Sequence, residues 1–111
     1  MRIAVSYDNG NVCETFSSTP QFKLYDVVNK AVAFSQVIAT SSTNHNALAG
    51  LLADQLVTCL ICAEIAPEAQ AALDDWGIQL YAGCSGDADQ QVSALLAGTL
   101  TATTARSAHH L

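Results

Sequence analysis

Apolar runs separated by polar turns alternate along the chain, and their lengths and spacing predict both strands and helices. Runs of strand length lie at residues 2–7, 21–27, 31–39, 57–62 and 78–82. The run at 57–62 is almost wholly apolar, which is typical of a buried parallel strand. Apolar residues at helical spacing predict three helices, at 45–55, between Pro67 and Gly77, and between Asp87 and Gly98.

The order of these elements predicts an α/β domain. The first three strands fit an antiparallel meander, and the later strands alternate with helices, which favours parallel pairing through right-handed crossovers. We therefore expect a mixed five-stranded sheet flanked by three helices, with the last two strands parallel to the first. One domain is expected over residues 1–100, followed by a flexible tail over residues 101–111. Leu73 and Trp76 are expected to pack in the core.

Segments rich in small or turn-forming residues follow several of the apolar runs. They lie at residues 6–10, 43–46, 61–64 and 83–86. In an open sheet, ligands bind outside the carboxyl ends of parallel strands. The sequence therefore predicts that these segments share one edge of the sheet and form a ligand site there.

The charge balance narrows the classes of partner. Four basic residues stand against ten acidic ones, for a formal net charge of −6. A nucleic-acid partner is not expected, because phosphate binding needs clustered Lys and Arg. No basic amphipathic segment indicates a membrane surface, and no stretch approaches the ~20 apolar residues of a membrane span. The first apolar run is too short for a signal peptide, so we expect a cytoplasmic protein with reduced cysteines.

His45 is the leading candidate ligand of the predicted edge. An imidazole at the start of a helix can bind a transition metal through one ring nitrogen, and the positive end of the helix favours an anionic ligand. The alternative is a solvent-exposed loop histidine or one that contributes to the helix cap. Thr43 or Asn44 is expected to cap this helix.

The cysteines supply candidate thiol ligands. Cys62 ends a predicted strand and could complete a metal site with His45, although a small buried core residue is the commoner role of a free cysteine. Cys59 lies three positions earlier and therefore faces the opposite side of the sheet, in the core. Cys84, in a glycine-flanked turn, is expected to be more exposed and is either a further ligand or an incidental thiol. Cys13 is expected in a solvated loop.

The motifs of common enzymes are missing. Asp8 and Glu64 lie at predicted strand ends, where a ribonuclease-H nuclease carries carboxylates that bind two magnesium ions. No full acidic set accompanies Asp8, and the chain lacks a basic surface. No hydrolase motif, Walker loop or dinucleotide-binding motif is present. We therefore expect no enzymatic activity, and a nuclease is the least favoured reading.

Several motifs, in order, resemble the dinitrogenase iron-molybdenum cofactor-binding family, which includes NifX/NafY-like domains. They are the opening Met1–Asp8, Glu14–Phe16, Pro20–Asp26, His45 before a helix, Gly77–Tyr81, Gly86–Asp89 and Leu96–Leu100. The resemblance covers about residues 1–100. It implies a ribonuclease-H-like fold that binds or carries metal–sulfur clusters, with the histidine before the first helix, here His45, as a candidate ligand.

This chain departs from the family pattern at three places where members often have glycine. Ser17 follows Phe16, asparagines flank His45, and residues 63–66 replace a glycine-rich turn. Because glycine lets backbone approach a ligand closely, these changes predict a narrower pocket, a smaller ligand or no cluster.

We therefore expect a cluster-binding or carrier protein, not an enzyme, whose cargo is a molybdenum- or iron-containing sulfide cluster. The expected metal ligands are His45 and Cys62. The expected contacts of the cluster are His45, Cys62, Cys84, Asn9, Gly10, Phe16, Asn44, Ser85 and Gly86. Expected partners are proteins that donate or accept the cluster, and the chain is expected to be a monomer or a weak homodimer. The alternative is a metal-free protein-interaction or regulatory module of the same fold.

Overall fold

The structure is a computed structural model that describes residues 1–16, 19–40, 44–100 and 104–106. The strands are β1 (Arg2–Asp8), β2 (Asn11–Val12), β3 (Gln21–Val28), β4 (Ala31–Ala39), β5 (Cys59–Ile61), β6 (Gln79–Ala82) and β7 (Thr104–Arg106). The helices are α1 (His45–Asp54), α2 (Pro67–Asp75) and α3 (Ala88–Ala97). In this described part of the chain, no helix has the length and apolar character needed to cross a membrane.

The strands form one mixed sheet in the order β4-β3-β1-β5-β6-β7, with β2 paired to β1. β3 runs antiparallel to both β1 and β4, and β1, β5 and β6 are parallel to one another. β4 therefore points the same way as β1. The mixed α/β architecture and the three helices agree with the sequence-based prediction, and the ribonuclease-H-like label remains a prediction.

The expected count of five strands is wrong, because two short strands add to the sheet. β2 folds back after a tight turn so that Val12 pairs with Tyr7. β7 pairs antiparallel with β6, with Ala105 opposite Tyr81. Neither strand is long enough to show a hydrophobic alternation. The rest of the expected tail, residues 101–103 and 107–111, lies outside the described residues, so the boundary at residue 100 stays a prediction.

The central strands are buried on both faces, and each face has its own apolar cluster. One cluster lies under α1 and α2, where Leu48, Leu52 and Leu73 pack on the sheet. The other lies under α3, where Ala88 and Val92 meet the opposite face. Burial on both faces explains why β1 and β5 are almost continuously apolar in sequence.

The helix ends follow the predicted signals. Asn44 caps α1 through its side chain, Pro67 begins α2, Asp87 caps α3 and Gly98 ends α3 in a left-handed conformation. The prediction that Trp76 packs in the core is wrong, because its side chain is 56% exposed. Trp76 is the C-cap of α2, and the buried inner face of this helix already ends at Leu73.

Candidate functional site

Backbone hydrogen bonds join three loops at the carboxyl edge of the parallel strands. Val12 N–H donates to the carbonyl of Gly86 at 2.8 Å, and Ala88 N–H donates to that of Gly10 at 3.1 Å. Phe16 N–H donates to the carbonyl of Glu64 at 2.9 Å. The segments after β1, β5 and β6 therefore meet at one edge, as the sequence predicted. We call this surface the loop edge: residues 9–16, 62–66 and 83–87.

The start of α1 lies at the same end of the sheet. β4 ends there, and Thr40 N–H donates to the carbonyl of Pro20 at 3.0 Å. Thr19 N–H in turn donates to the carbonyl of Phe16 at 3.2 Å, which connects the end of β4 to the loop edge. Residues 41–43, including the alternative cap Thr43, lie outside the described residues.

His45 is the first residue of α1, and its side chain lies outside what the structure describes. Its neighbour Asn44 has a clear structural role. The Asn44 side-chain oxygen accepts hydrogen bonds from the backbone of Asn46 at 2.9 Å and Ala47 at 3.2 Å. The first turn of α1 contains no acidic residue, so the helix itself places no carboxylate at its positive end.

Two glycines shape the loop edge and leave space in front of it. Gly10 and Gly86 have φ values of +93° and +90°, and a Cβ on either would meet nothing within 4 Å. Asn9 has φ +51° and precedes Gly10 in the turn between β1 and β2. Asn9, Ser85 and Gly86 are exposed, so a bound ligand could reach their backbone.

Two expectations about exposed cysteines are wrong. Cys84 is 2% exposed and Cys13 is 8% exposed. Cys84 N–H donates to the carbonyl of Cys62 at 3.0 Å, which pulls the turn after β6 back onto the sheet. Cys13 N–H donates to the carbonyl of Ser6 at 2.8 Å, and its thiol donates to the carbonyl of Thr15 at 3.5 Å. Turn residues in the sequence gave no sign of these hydrogen bonds.

Cys62 and Cys59 lie on opposite faces of the sheet, as predicted. Cys62 belongs to the apolar cluster under α1 and α2, and Cys59 belongs to the cluster under α3. Burial raises the pKa of each thiol to about 12. With this pKa, Cys62 is a neutral core thiol in this conformation. A metal ligand must instead be the thiolate. The predicted role of Cys62 as a ligand requires the site to open.

The Phe16 side chain packs in the apolar core and does not form part of the surface of the loop edge. Its side chain is buried, and its ring centroid lies 5.9 Å from that of Phe22. Phe16 belongs to the same apolar cluster as Cys62. A ligand could contact the Phe16 ring only if the loop moved.

Ser6 is a buried polar residue that the sequence reasoning missed. It is fully buried, and its hydroxyl has no hydrogen-bond partner within the described part of the structure. Strand alternation puts Ser6 on the same face as Ala4, and its partner on β3 is Phe22. On the other side of β1, the last pair with β5 is Val5–Ile61, so Ser6 follows that pair as Cys62 does. The sequence signal that could have indicated this buried hydroxyl is that Ser6 interrupts the apolar run near the end of β1.

An acidic cleft forms part of the loop edge, where β1 ends and the chain continues through β2. It has a volume of about 390 Å³ and is lined by Asp8, Asn11, Val12, Cys13, Glu14 and Thr15. Within the residues that the structure describes, no group of three or more histidine, cysteine, aspartate or glutamate side chains could hold a metal ion. Two carboxylates in the cleft make it unfavourable for an anion.

The comparisons with known proteins agree with the fold. No curated protein matches the chain. The apo form of the orange protein from Desulfovibrio gigas superposes with a TM-score of 0.81 at 22% identity, covering 94% of this chain and 93% of that one. A protein described as a candidate dinitrogenase from Methanocaldococcus jannaschii gives a TM-score of 0.75 at 20% identity, covering 96% of this chain and 97% of that one. At these identities, the structural likeness shows the fold alone.

A family model provides the assignment that the distant structures cannot. The model described as dinitrogenase iron-molybdenum cofactor matches residues 1–98, which include all three loops of the loop edge and the start of α1. The chain therefore belongs to the dinitrogenase iron-molybdenum cofactor family.

Proposed function

We propose that this chain binds or carries a metal–sulfur cluster, a molybdenum- or iron-containing sulfide, at the α1 side of the loop edge. The observation that carries the proposal is that three loops meet at the carboxyl edge of the sheet, and that α1 begins at the same end of the sheet. At this surface, several backbone segments could contact one ligand. The proposed activity is binding and transfer between partner proteins, with no catalysis.

Charge favours the α1 side over the α3 side for an anionic cluster. The first turn of α1 contains no acidic residue. At the start of α3, Asp87 is the cap and Asp89 lies in the first turn, where they oppose an anion. A sulfide cluster with negative charge would therefore gain from the helix end at His45 and lose at the helix end at Asp87.

The chemistry of the donors favours loose binding. His45 would supply a ring nitrogen, and backbone N–H groups of the exposed turn residues would donate to sulfide. Cys62 is neutral and buried, so a strong thiolate bond is not expected in the resting conformation. A cargo held by one imidazole and amide donors can be released to an acceptor protein.

The experiment is an anaerobic titration with tetrathiomolybdate, followed by absorption spectroscopy. We expect His45→Ala to weaken binding at least about tenfold, as loss of a direct metal ligand should. The double variant His109→Ala/His110→Ala removes the same side-chain type elsewhere in the chain and should bind like the wild type. Equal spectra for His45→Ala and the wild type would remove His45 from the site.

The alternative function, a metal-free interaction module, predicts the opposite result. Protein purified without oxygen would then contain neither molybdenum nor iron, and tetrathiomolybdate would not shift its melting temperature. The cluster proposal expects bound metal or a rise in melting temperature, because a ligand that binds only the native state stabilises it. Elemental analysis with thermal denaturation separates the two functions.

A further inference from the structure

One margin of the sheet is a long, exposed strand. β4 has nine residues, and its pairing within the described residues is with β3 alone. Every residue from Ala31 to Val37 is exposed. The exposed fractions of Val32, Phe34 and Val37 are 44%, 58% and 43%. The edge therefore offers unpaired backbone groups together with apolar side chains.

Several of the usual protections of an edge strand are missing from β4. Natural edges are guarded by short length, charged side chains, proline or β-bulges. The sequence of β4 contains no Asp, Glu, Lys, Arg or Pro. Its one irregularity is a register shift at Asp26/Val27 of β3, near the start of β4. The opposite margin of the sheet is β7, which has only three residues.

The apolar side chains lie on both faces of β4. Phe34 is opposite Asp26, whereas Val37 is opposite Lys23, and these β3 residues point to opposite sides of the sheet. A helix could cover only one of these faces. An extended strand can pair with the backbone and cover both faces, so the edge is suited to another strand.

We infer that the occupant is β4 of a second copy of this chain, paired antiparallel about a two-fold axis near Ser35. Two chains of net charge −6 repel each other over most of their surface. β4 is uncharged throughout, and antiparallel pairing puts the two copies of Lys30 at opposite ends of the contact. The strand is its own complement, because it brings apolar residues to both faces.

The size of the contact sets the expected strength. At the usual rise of about 3.3 Å per residue, a nine-residue strand is about 30 Å long. Pairing two such strands buries less than the about 1,200 Å² typical of tight complexes. The dimer is therefore weak and reversible, and its two sheets form one continuous sheet.

Sedimentation velocity over a range of protein concentrations tests this inference. The metal-free protein is used, so the outcome does not depend on the cluster proposal. The wild type should shift from monomer to dimer as concentration rises. Phe34→Lys should weaken association at least about tenfold, because a charge enters the unguarded edge. Trp76→Lys is the matched control, since Trp76 is exposed to a similar extent, 56%, away from β4.

Hydrogen exchange distinguishes strand pairing from contact between side chains. Backbone amides of β4 that point away from β3 should exchange more slowly at high protein concentration in the wild type, and not in Phe34→Lys. A wild type that stays monomeric at all concentrations overturns the inference and leaves this edge to a strand of another protein. A dimer that survives Phe34→Lys without protection of β4 also overturns it.

Discussion

At the residue scale, the most informative positions are two side chains buried near the loop edge. Ser6 has a hydroxyl with no partner among the described residues, and Cys62 has a thiol whose pKa burial raises to about 12. They lie on the same face of the sheet, the face whose apolar cluster includes Phe16. A buried polar group without a hydrogen bond lowers stability by about 1–3 kcal/mol. The interior below the proposed site is therefore less stable than an apolar interior of the same shape.

Removing the Ser6 hydroxyl should stabilise the protein. Ser6→Ala takes away an unsatisfied polar atom while changing little volume, so we expect the free energy of unfolding to rise by about 1 kcal/mol. Thr19 is the control, because its buried hydroxyl donates to the carbonyl of Thr15 at 3.2 Å. Thr19→Ala should lower the free energy of unfolding by about 1 kcal/mol. Urea denaturation measures both, and a destabilised Ser6→Ala would mean that the hydroxyl has a partner.

At the element scale, the sequence predicted what hydrophobic periodicity controls. The five predicted strands and the three helices lie within two residues of their predicted ends, because the apolar side chains of most of them pack in two apolar clusters. β7 was missed because backbone pairing with β6, not an apolar pattern, makes it a strand. The exposure of β4 was also not foreseen, since Val32 and Phe34 look like core residues until their place in the sheet is known.

The site was harder to predict than the fold for a similar reason. Periodicity indicated that the loops share an edge, and the hydrogen bond between Val12 and Gly86 is consistent with that prediction. The burial of Cys84 depends on its hydrogen bond to the Cys62 carbonyl, which joins residues of different elements. Such contacts depend on how two loops pack, and no local pattern of residues encodes them.

The two tight turns predict a reciprocal pair of stability changes. The turn between β3 and β4 places Lys30 at φ +62°, whereas the turn between β1 and β2 has Gly10 at φ +93°. A residue with a side chain pays about 1–2 kcal/mol in this region. Lys30→Gly should therefore raise the free energy of unfolding by about 0.5–1 kcal/mol.

Gly10→Lys is the matched reverse change and should destabilise the protein by more than Lys30→Gly stabilises it. Urea denaturation at low protein concentration keeps association through β4 out of the comparison. If Lys30→Gly also destabilised the protein, then its left-handed backbone would carry no strain and the turn geometry would be wrong.

At the scale of the whole molecule, acidic side chains outnumber the basic side chains that can form ion pairs with them. Among the described residues, Arg2 pairs with Asp26 and Lys23 pairs with Asp89, each with a closest N–O distance of 2.7 Å. The first pair joins neighbouring strands, and the second joins β3 to α3. Tyr25 also donates to Asp89, at 2.5 Å, so this carboxylate fastens α3 to the sheet through two partners. Loss of its charge should therefore weaken the packing of α3.

The pH dependence of stability follows from the direction of these shifts. The Lys23 hydrogen bond, followed by that of Tyr25, holds the pKa of Asp89 below its usual value, and Arg2 does the same for the pKa of Asp26. A carboxyl group with a lowered pKa in the native state stabilises it above the unfolded-state pKa of about 3.9. That contribution is lost as pH falls through the native pKa. We therefore expect the free energy of unfolding to fall modestly below about pH 4, because both carboxylates are exposed enough to be screened by solvent.

Asp89→Asn tests whether the Asp89 carboxylate is responsible for the loss of stability in acid, because asparagine does not ionise. The variant should be less stable than the wild type at neutral pH and should lose less stability on acidification. Asp75→Asn changes an exposed aspartate at the end of α2 and should keep the wild-type acid slope. Urea denaturation between pH 2 and pH 7 gives these slopes. Identical slopes for Asp89→Asn and the wild type would mean that acid sensitivity arises elsewhere, with Asp26 as the next carboxylate to replace.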